Sequence, residues 1–113
     1  MAVIPKISAV SYLNTIPFVY GLKHTERLCA NLLLAPPAEC AKNYIEGRAD
    51  IALLPAAVVP DLQNTNIITD YCIGAVGAVR TVTVVSNVPI AQVKRIWLDA
   101  HSRTSVQIGR AHV

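Results

Sequence analysis

The sequence predicts an α/β domain in which a mostly parallel sheet carries helices on both faces. Short apolar segments typical of strands alternate with segments typical of helices, and proline or glycine marks several of their ends. Successive strands are separated by about 15 to 20 residues, which is enough for a helical crossover between parallel strands. Ligands of such sheets bind at the carboxyl ends of the strands.

The first strand and helix follow from the residues near the amino terminus. Val3–Tyr12 is apolar and rich in strand-forming residues, with an early interruption at Pro5. We expect Thr15 to cap the following helix and Pro17 to lie in its first turn, where a missing N–H costs no hydrogen bond. This helix should end near His24.

The middle of the chain predicts a second strand and helix, then a third strand. Asn31–Ala35 is an apolar strand that Pro36-Pro37 ends, and Ala38–Glu46 is a helix with Gly47 as the residue after its cap. Asp50–Leu54 is a largely apolar run, as in a strand buried on both faces of a parallel sheet.

Shorter elements are expected in the rest of the chain. They are one or two helical turns at Ala56–Leu62, strands at Ile67–Tyr71, Val79–Ser86 and Arg95–Leu98, a helical turn at Ala91–Val93 and a helix from Ser102 onward.

Composition excludes several classes of protein. The 113 residues are 53% hydrophobic and 15% charged, which is typical of a packed domain. The net charge of +3 is scattered, so nucleic acid is not an expected partner. The three cysteines have neither disulfide nor metal-site spacing, and His24, His101 and His112 lie far apart, so no metal site is expected. Without a secretory signal or an apolar run of about 20 residues, we expect a cytoplasmic protein without membrane contact.

Two segments carry candidate ligand-binding groups. Ser11, Tyr12 and Asn14 place a hydroxyl, a phenol and a carboxamide between a strand end and a helix start, where backbone N–H groups attract anions. Arg103 stands among hydroxyl residues just before the predicted last helix and could hold a carboxylate. Each segment is also compatible with an ordinary helix cap. The glycines at 74 and 77 do not form a dinucleotide-binding fingerprint.

The last residues have an unusual explanation. In the frame set by a CAG codon for Gln107, the short-read sequencing adapter AGATCGGAAGAGCACACGTCTGA translates as the residues of 108–113 followed by a stop codon. We therefore expect residues 107–113 to be derived from adapter and the natural sequence to be truncated near Val106. The alternative is a genuine C-terminal turn.

Six segments together resemble the chorismate dehydratase family, in its order and at its spacing. They are Val10–Pro17, Gly47–Pro55, Asp70–Gly74, Val79–Arg80, Ser86–Pro89 and Leu98–Val106. The resemblance implies a fold like the type II periplasmic solute-binding proteins, with two α/β lobes around a cleft, in a chain well over twice this length. Residues 1–78 would form the first lobe, and residues 79–106 the crossover and the start of a truncated second lobe.

The resemblance also implies an activity, the conversion of chorismate to 3-[(1-carboxyvinyl)oxy]benzoate and water in the futalosine route to menaquinone, without a cofactor. It implies that Asn14 and Thr81 are catalytic-site residues, although the family often has Ser at the position of Thr81. Substrate-binding residues would be Ser11, Tyr12, Ser102, Arg103, Thr104 and Ser105. These segments supply no obvious His or carboxylate base, which suggests that the enolpyruvyl carboxylate of the substrate takes the proton.

Two alternatives remain at this point. A noncatalytic domain that binds small anionic solutes could share the fold, since fold does not determine function. A related lyase of the same pathway is less similar in its opening motif. We expect the truncated chain to show no chorismate dehydratase activity alone. We also expect it to leave apolar side chains uncovered, namely Val82, Val84, Ile96 and Trp97.

Overall fold

The computed structural model describes residues 2–79 and 83–101. Its strands are β1 (Ile7–Val10), β2 (Leu32–Ala35) and β3 (Ile51–Ala52), and its α-helices are α1 (Ile16–Lys23), α2 (Glu26–Cys29) and α3 (Pro37–Ile45). Turns of 3-10 helix occur at Leu13–Thr15, Ala56–Asp61 and Ile90–Gln92. The described chain is therefore a small mixed α/β structure.

The three strands form one parallel sheet in the order β2-β1-β3. Ile7 pairs with Leu32 on one side and with Ile51 on the other, so β1 is the central strand. Across the sheet, the connection from β1 to β2 moves towards one edge, and the connection from β2 to β3 moves back towards the other edge. Right-handed crossovers would therefore place α1 and α3 on opposite faces of the sheet.

The core is built largely from small side chains where α3 packs on the sheet. Helix α3 contacts all three strands and buries Cys40, Ala41 and Asn43. In β1, Ile7 is 2% exposed and Ala9 is fully buried. Ser8, between them, faces α3, and its Oγ accepts a hydrogen bond from Asn43. The small side chains of Ser8 and Cys40 let α3 approach β1 closely, so enlarging either would force the packing apart.

Helix α3 ends in a Schellman motif at the predicted glycine. The Gly47 N–H donates to the Tyr44 carbonyl oxygen at 3.1 Å, and the Arg48 N–H donates to the Asn43 carbonyl oxygen at 2.8 Å. Gly47 has φ +71°, a left-handed conformation that glycine adopts without steric penalty. The prediction of Gly47 as the helix-ending residue is confirmed.

The predicted strands differ most from the structure after residue 65. The structure has no strand at Ile67–Tyr71 or at Arg95–Leu98. In the predicted strand Val79–Ser86, the described residues, Val79 and 83–86, form no strand either. β-branched residues favour strands mainly through packing against neighbouring strands, and these residues are mostly exposed. The strand predictions at Ile67–Tyr71 and Arg95–Leu98 are wrong, and so is the prediction for the described part of Val79–Ser86, because local composition does not supply a pairing partner.

The shorter helical elements agree better with the sequence. The turn predicted at Ala91–Val93 is present as 3-10 helix at Ile90–Gln92, and Ala56–Asp61 forms the turns predicted there. Helix α2 was not anticipated. The predicted helix from Ser102 onward lies outside the described residues.

Candidate functional site

The loops that follow the three strands meet at one edge of the sheet. Ser11, the first residue after β1, donates its N–H to the Ala35 carbonyl oxygen at the end of β2, at 2.9 Å. On the other side of β1, the Leu53 N–H donates to the Ser8 carbonyl oxygen at 3.0 Å. The residues after β1 therefore lie between the ends of β2 and β3, at the edge where open α/β sheets bind ligands.

The residues after Ser11 form a tight turn that leads directly into α1. The Thr15 N–H donates to the Tyr12 carbonyl oxygen at 3.0 Å, closing the 3-10 turn. Thr15 is fully buried, whereas Ser11, Tyr12 and Asn14 are exposed. The structure thus brings these three predicted site residues together on one anchored loop.

Thr15 does not cap α1 as the sequence predicted. It occupies the N-cap position, but its backbone is helical (φ −90°, ψ −8°) and its side chain makes no capping hydrogen bond. A capping side chain normally extends from a β-region residue, and the preceding 3-10 turn removes that geometry. The Thr15 hydroxyl instead donates to Oδ1 of Asn14, at 3.3 Å.

This contact determines what Asn14 can offer a ligand. A carboxamide has one acceptor oxygen and an NH₂ group with two donor hydrogens. Because Oδ1 accepts the Thr15 hydroxyl, Nδ2 is the end directed away from that contact. An exposed amide donor suits a carboxylate or a hydroxyl oxygen.

The surroundings of Asn14 are mixed in polarity. Leu13 and Ile16 are 82% and 52% exposed on either side of it, and Tyr12 is 43% exposed. The first turn of α1 contains no acidic residue, so no side chain of that turn neutralises the positive end of the helix dipole. An anion with an apolar body therefore fits this edge better than a fully hydrated ion.

Two cavities in the described part of the chain lie away from this loop. One, of about 470 Å³, is bounded by the end of α3 and the chain near Leu62, with Tyr44 and Asp50 in its lining. The other, of about 230 Å³, lies at the amino ends of β1 and β2. Both are open grooves at the opposite edge of the sheet, and the first contains a hydrogen bond between the Tyr44 and Thr65 hydroxyls at 3.0 Å. We favour the carboxyl-end loop because three exposed polar residues, Ser11, Tyr12 and Asn14, lie at the edge where open α/β sheets bind ligands.

The sequence did not single out a buried polar chain beneath β1. Nδ2 of Asn43 donates to Oγ of Ser8 at 3.3 Å, and Nε of Arg48 donates to Oδ1 of Asn43 at 3.1 Å. Ser8 is fully buried and Asn43 is 3% exposed, while Arg48 reaches the surface and pairs with Glu46 at 2.7 Å. A serine between apolar residues of a buried strand was the available signal. These hydrogen bonds hold α3 on β1, away from the candidate site.

Cys40, although close to this polar chain, is a poor nucleophile. Burial raises the pKa of its thiol, and this effect outweighs the hydrogen bonds with the Ser8 side chain and the Ala35 backbone, which act in the opposite direction. A protonated thiol in the core behaves as a small apolar side chain.

Other predicted features cannot be placed in the same way. Thr81, Ser102, Arg103, Thr104 and Ser105 lie outside the described residues. In the described ranges no three His, Cys, Asp or Glu side chains gather as metal ligands. Nor does any helix there have the length and apolar character needed to cross a membrane.

Comparison with known proteins gives the family. The family model described as menaquinone biosynthesis matches residues 5–111, almost the whole chain. No solved structure matches this chain. The chain belongs to the menaquinone biosynthesis family, and the loop with Asn14 lies within the matched residues.

Proposed function

We propose that this member of the menaquinone biosynthesis family is part of a chorismate dehydratase, which converts chorismate to 3-[(1-carboxyvinyl)oxy]benzoate and water. The observation that carries the proposal is the exposed, oriented carboxamide of Asn14 at the carboxyl end of the central strand. Family membership supports a step of menaquinone biosynthesis, and the sequence segments around Asn14 resemble those of this particular lyase.

The substrate suits the chemistry of this loop. Chorismate carries two carboxylates and a hydroxyl on an apolar ring. Nδ2 of Asn14 can donate to one of the oxygens, while the side chains of Leu13 and Ile16 provide apolar surface beside it. The N–H groups of Thr15 and Ile16 already donate to the Tyr12 and Leu13 carbonyl oxygens, and Pro17 has no N–H. The side chain of Asn14, rather than the backbone at the start of α1, therefore meets the anion.

The reaction removes a ring proton and the neighbouring hydroxyl. In the proposed mechanism the enolpyruvyl carboxylate takes the ring proton, and the C–H electrons form the new ring double bond as the C–O bond of the hydroxyl breaks. The new carboxylic acid passes the proton to the leaving hydroxide, which departs as water, and the carboxylate is restored. Aromatisation drives the elimination. Asn14 acts by orienting and polarising the reacting groups, and such positioning of an internal base lowers a barrier by several kcal/mol.

We further propose a fold like the type II periplasmic solute-binding proteins. Residues 1–78 would form the first lobe, and residues 79–106 would lead into the second. Thr81 and the carboxylate-binding group around Arg103, with Ser102, Thr104 and Ser105, would then approach the substrate from other sides of the cleft. A site enclosed only by the loop with Asn14 is open to water, so we expect the 113-residue chain to be inactive alone.

The test begins with sequencing of the locus downstream of the codon for Val106, and the full-length gene product is then expressed. It is incubated with chorismate, and the benzoate product is measured by liquid chromatography. We expect turnover, and we expect Asn14→Ala to reduce kcat by about 10²–10³-fold, the usual cost of losing an oriented donor in a closed site. Asn66→Ala, which changes an exposed asparagine elsewhere, should leave kcat unchanged.

Binding of chorismate without product would contradict the proposal and favour the noncatalytic anion-binding alternative. If the enzyme is active, Arg103→Ala should raise KM and leave kcat nearly unchanged, because a carboxylate contact persists from the bound substrate to the transition state. An unchanged KM would remove Arg103 from the proposed site.

A further inference from the structure

We propose that Thr15 is a positioning residue, whose buried hydroxyl fixes the orientation of the Asn14 carboxamide. Its catalytic consequence rests on the function proposed above. The orientation itself is a property of the folded loop and can be tested without substrate.

Among the described residues, the hydroxyl hydrogen of Thr15 has one acceptor. Thr15 is fully buried, and its Oγ1 donates to Oδ1 of Asn14 at 3.3 Å. Rotating the carboxamide by 180° would place Nδ2 against Oγ1, so the hydroxyl would have to accept a hydrogen bond. In the part of the chain that the structure describes, the hydroxyl hydrogen would then lose the acceptor it has, and an unsatisfied buried donor is costly.

The backbone holds Thr15 in the place this role requires. Its N–H closes the 3-10 turn on the Tyr12 carbonyl oxygen, and the residue then continues directly into α1. The hydroxyl is thereby kept from the capping position and directed to the preceding side chain. Asn14 is exposed, so a neighbour on a rigid element is needed to restrict its rotation.

Loss of this contact should affect kcat more than KM. A freely rotating carboxamide directs its NH₂ group at the substrate for only part of the time. This loss of orientation lowers the rate of reaction more than it weakens substrate binding. For the full-length enzyme we expect Thr15→Val to lower kcat about 10-fold with KM within about 2-fold, as expected when orientation is lost but the groups remain. Thr15→Ser retains the hydroxyl and should restore kcat to within about 2-fold of the parent.

A matched control separates positioning from stability. Thr65→Val removes another threonine hydroxyl, which contacts the Tyr44 hydroxyl at the opposite edge of the sheet. We expect Thr65→Val to change Tm without changing kcat. If Thr15→Val lowers only Tm, or if Thr15→Ser is as impaired as Thr15→Val, the positioning role is wrong.

A second measurement does not depend on activity. The side-chain ¹⁵N–H₂ group of Asn14 in the full-length protein can be followed by NMR relaxation, with the Asn66 group as a reference. Thr15→Val should lower the order parameter of the Asn14 group and leave that of Asn66 unchanged. An unchanged Asn14 value overturns the inference even in an active enzyme. Failure of the parent protein to convert chorismate, with the NMR change present, would instead overturn the proposed function alone.

Discussion

Residues 7–65 and residues 66–101 have similar apolar side chains but different surroundings. In the first region, Ile7 is 2% exposed and Val58 is fully buried. In the second, Ile67 is 79% exposed and Trp97 is 95% exposed. Apolar and β-branched composition is therefore not sufficient for a strand or a core. The first region differs because its strands pair with one another and α3 covers them.

The overall dimensions agree with this contrast. The radius of gyration is 16.7 Å. A compact domain of this length would have a radius of gyration of about 13 Å. The exposure expected for Val84, Ile96 and Trp97 is confirmed, and Val82 lies outside the described residues. Apolar side chains exposed in this way favour association or covering by further protein surface.

The largest expected difference between the two regions is in thiol reactivity. Cys40 is buried beside β1, whereas Cys72 is exposed in the second region. A buried thiol reacts only when the structure opens, so Cys40 should react with a disulfide reagent at least about 10²-fold more slowly than Cys72. The measurement is peptide mass spectrometry after timed labelling of the native chain. Labelling in denaturant is the control and should equalise the rates; equal rates in the native chain would show that the first region is not stably packed.

A second prediction compares two asparagines by their contribution to stability. Asn43→Ala leaves Ser8 Oγ and the Arg48 guanidinium without their partner beneath β1. Loss of a buried hydrogen-bonding partner should lower the free energy of unfolding by about 1–3 kcal/mol. Asn66→Ala changes an exposed residue of the second region and should have an effect within about 0.5 kcal/mol. Urea unfolding followed by far-UV circular dichroism measures both; equal effects would contradict the proposed difference in packing.

Much of the first region could be predicted because local signals and tertiary contacts agree there. Pro36-Pro37 ends β2, Gly47 ends α3, and the apolar run after Asp50 contains β3. In the second region the same kinds of signal predicted strands that are absent. Pairing depends on a distant partner segment, and strand propensity carries no information about whether that partner is present.

The candidate site was predictable in position but not in its internal geometry. The polar residues after β1 were expected at the carboxyl edge of the sheet, and Ser11, Tyr12 and Asn14 lie there. The sequence could not show whether the Thr15 hydroxyl caps α1 or contacts the side chain of Asn14, because a threonine can do either. The 3-10 turn, in which Thr15 is buried, decides between these two roles.

A third prediction uses two glycines with left-handed backbones. Gly47 has φ +71° at the end of α3, and Gly77 has φ +83° in the second region. No heavy atom lies near the position of an added Cβ at either residue, so backbone strain is the main cost of alanine. Gly47→Ala should lower the free energy of unfolding by about 1 kcal/mol. Gly77→Ala should have a smaller effect if the second region contributes little to cooperative unfolding; equal losses in urea titrations would show that both regions unfold together.

The smallest expected effect is the dependence of stability on alkaline pH. Burial raises the pKa of the Cys40 thiol above its ordinary value of 9.0, so the folded state favours the protonated thiol. The unfolded chain therefore loses this proton at lower pH than the folded chain does. The contribution of Cys40 to stability is fully present below pH 9.0 and declines as pH rises through the folded-state pKa.

Urea unfolding at pH 7 and pH 10 should show a larger loss of stability for the parent than for Cys40→Ala, which has no thiol at this position. Cys72→Ala removes an exposed thiol instead and is the matched control, which should retain the pH dependence of the parent. If Cys40→Ala shows the same pH dependence as the parent, the thiol is in contact with water, and the packing of α3 against β1 is looser than the structure indicates.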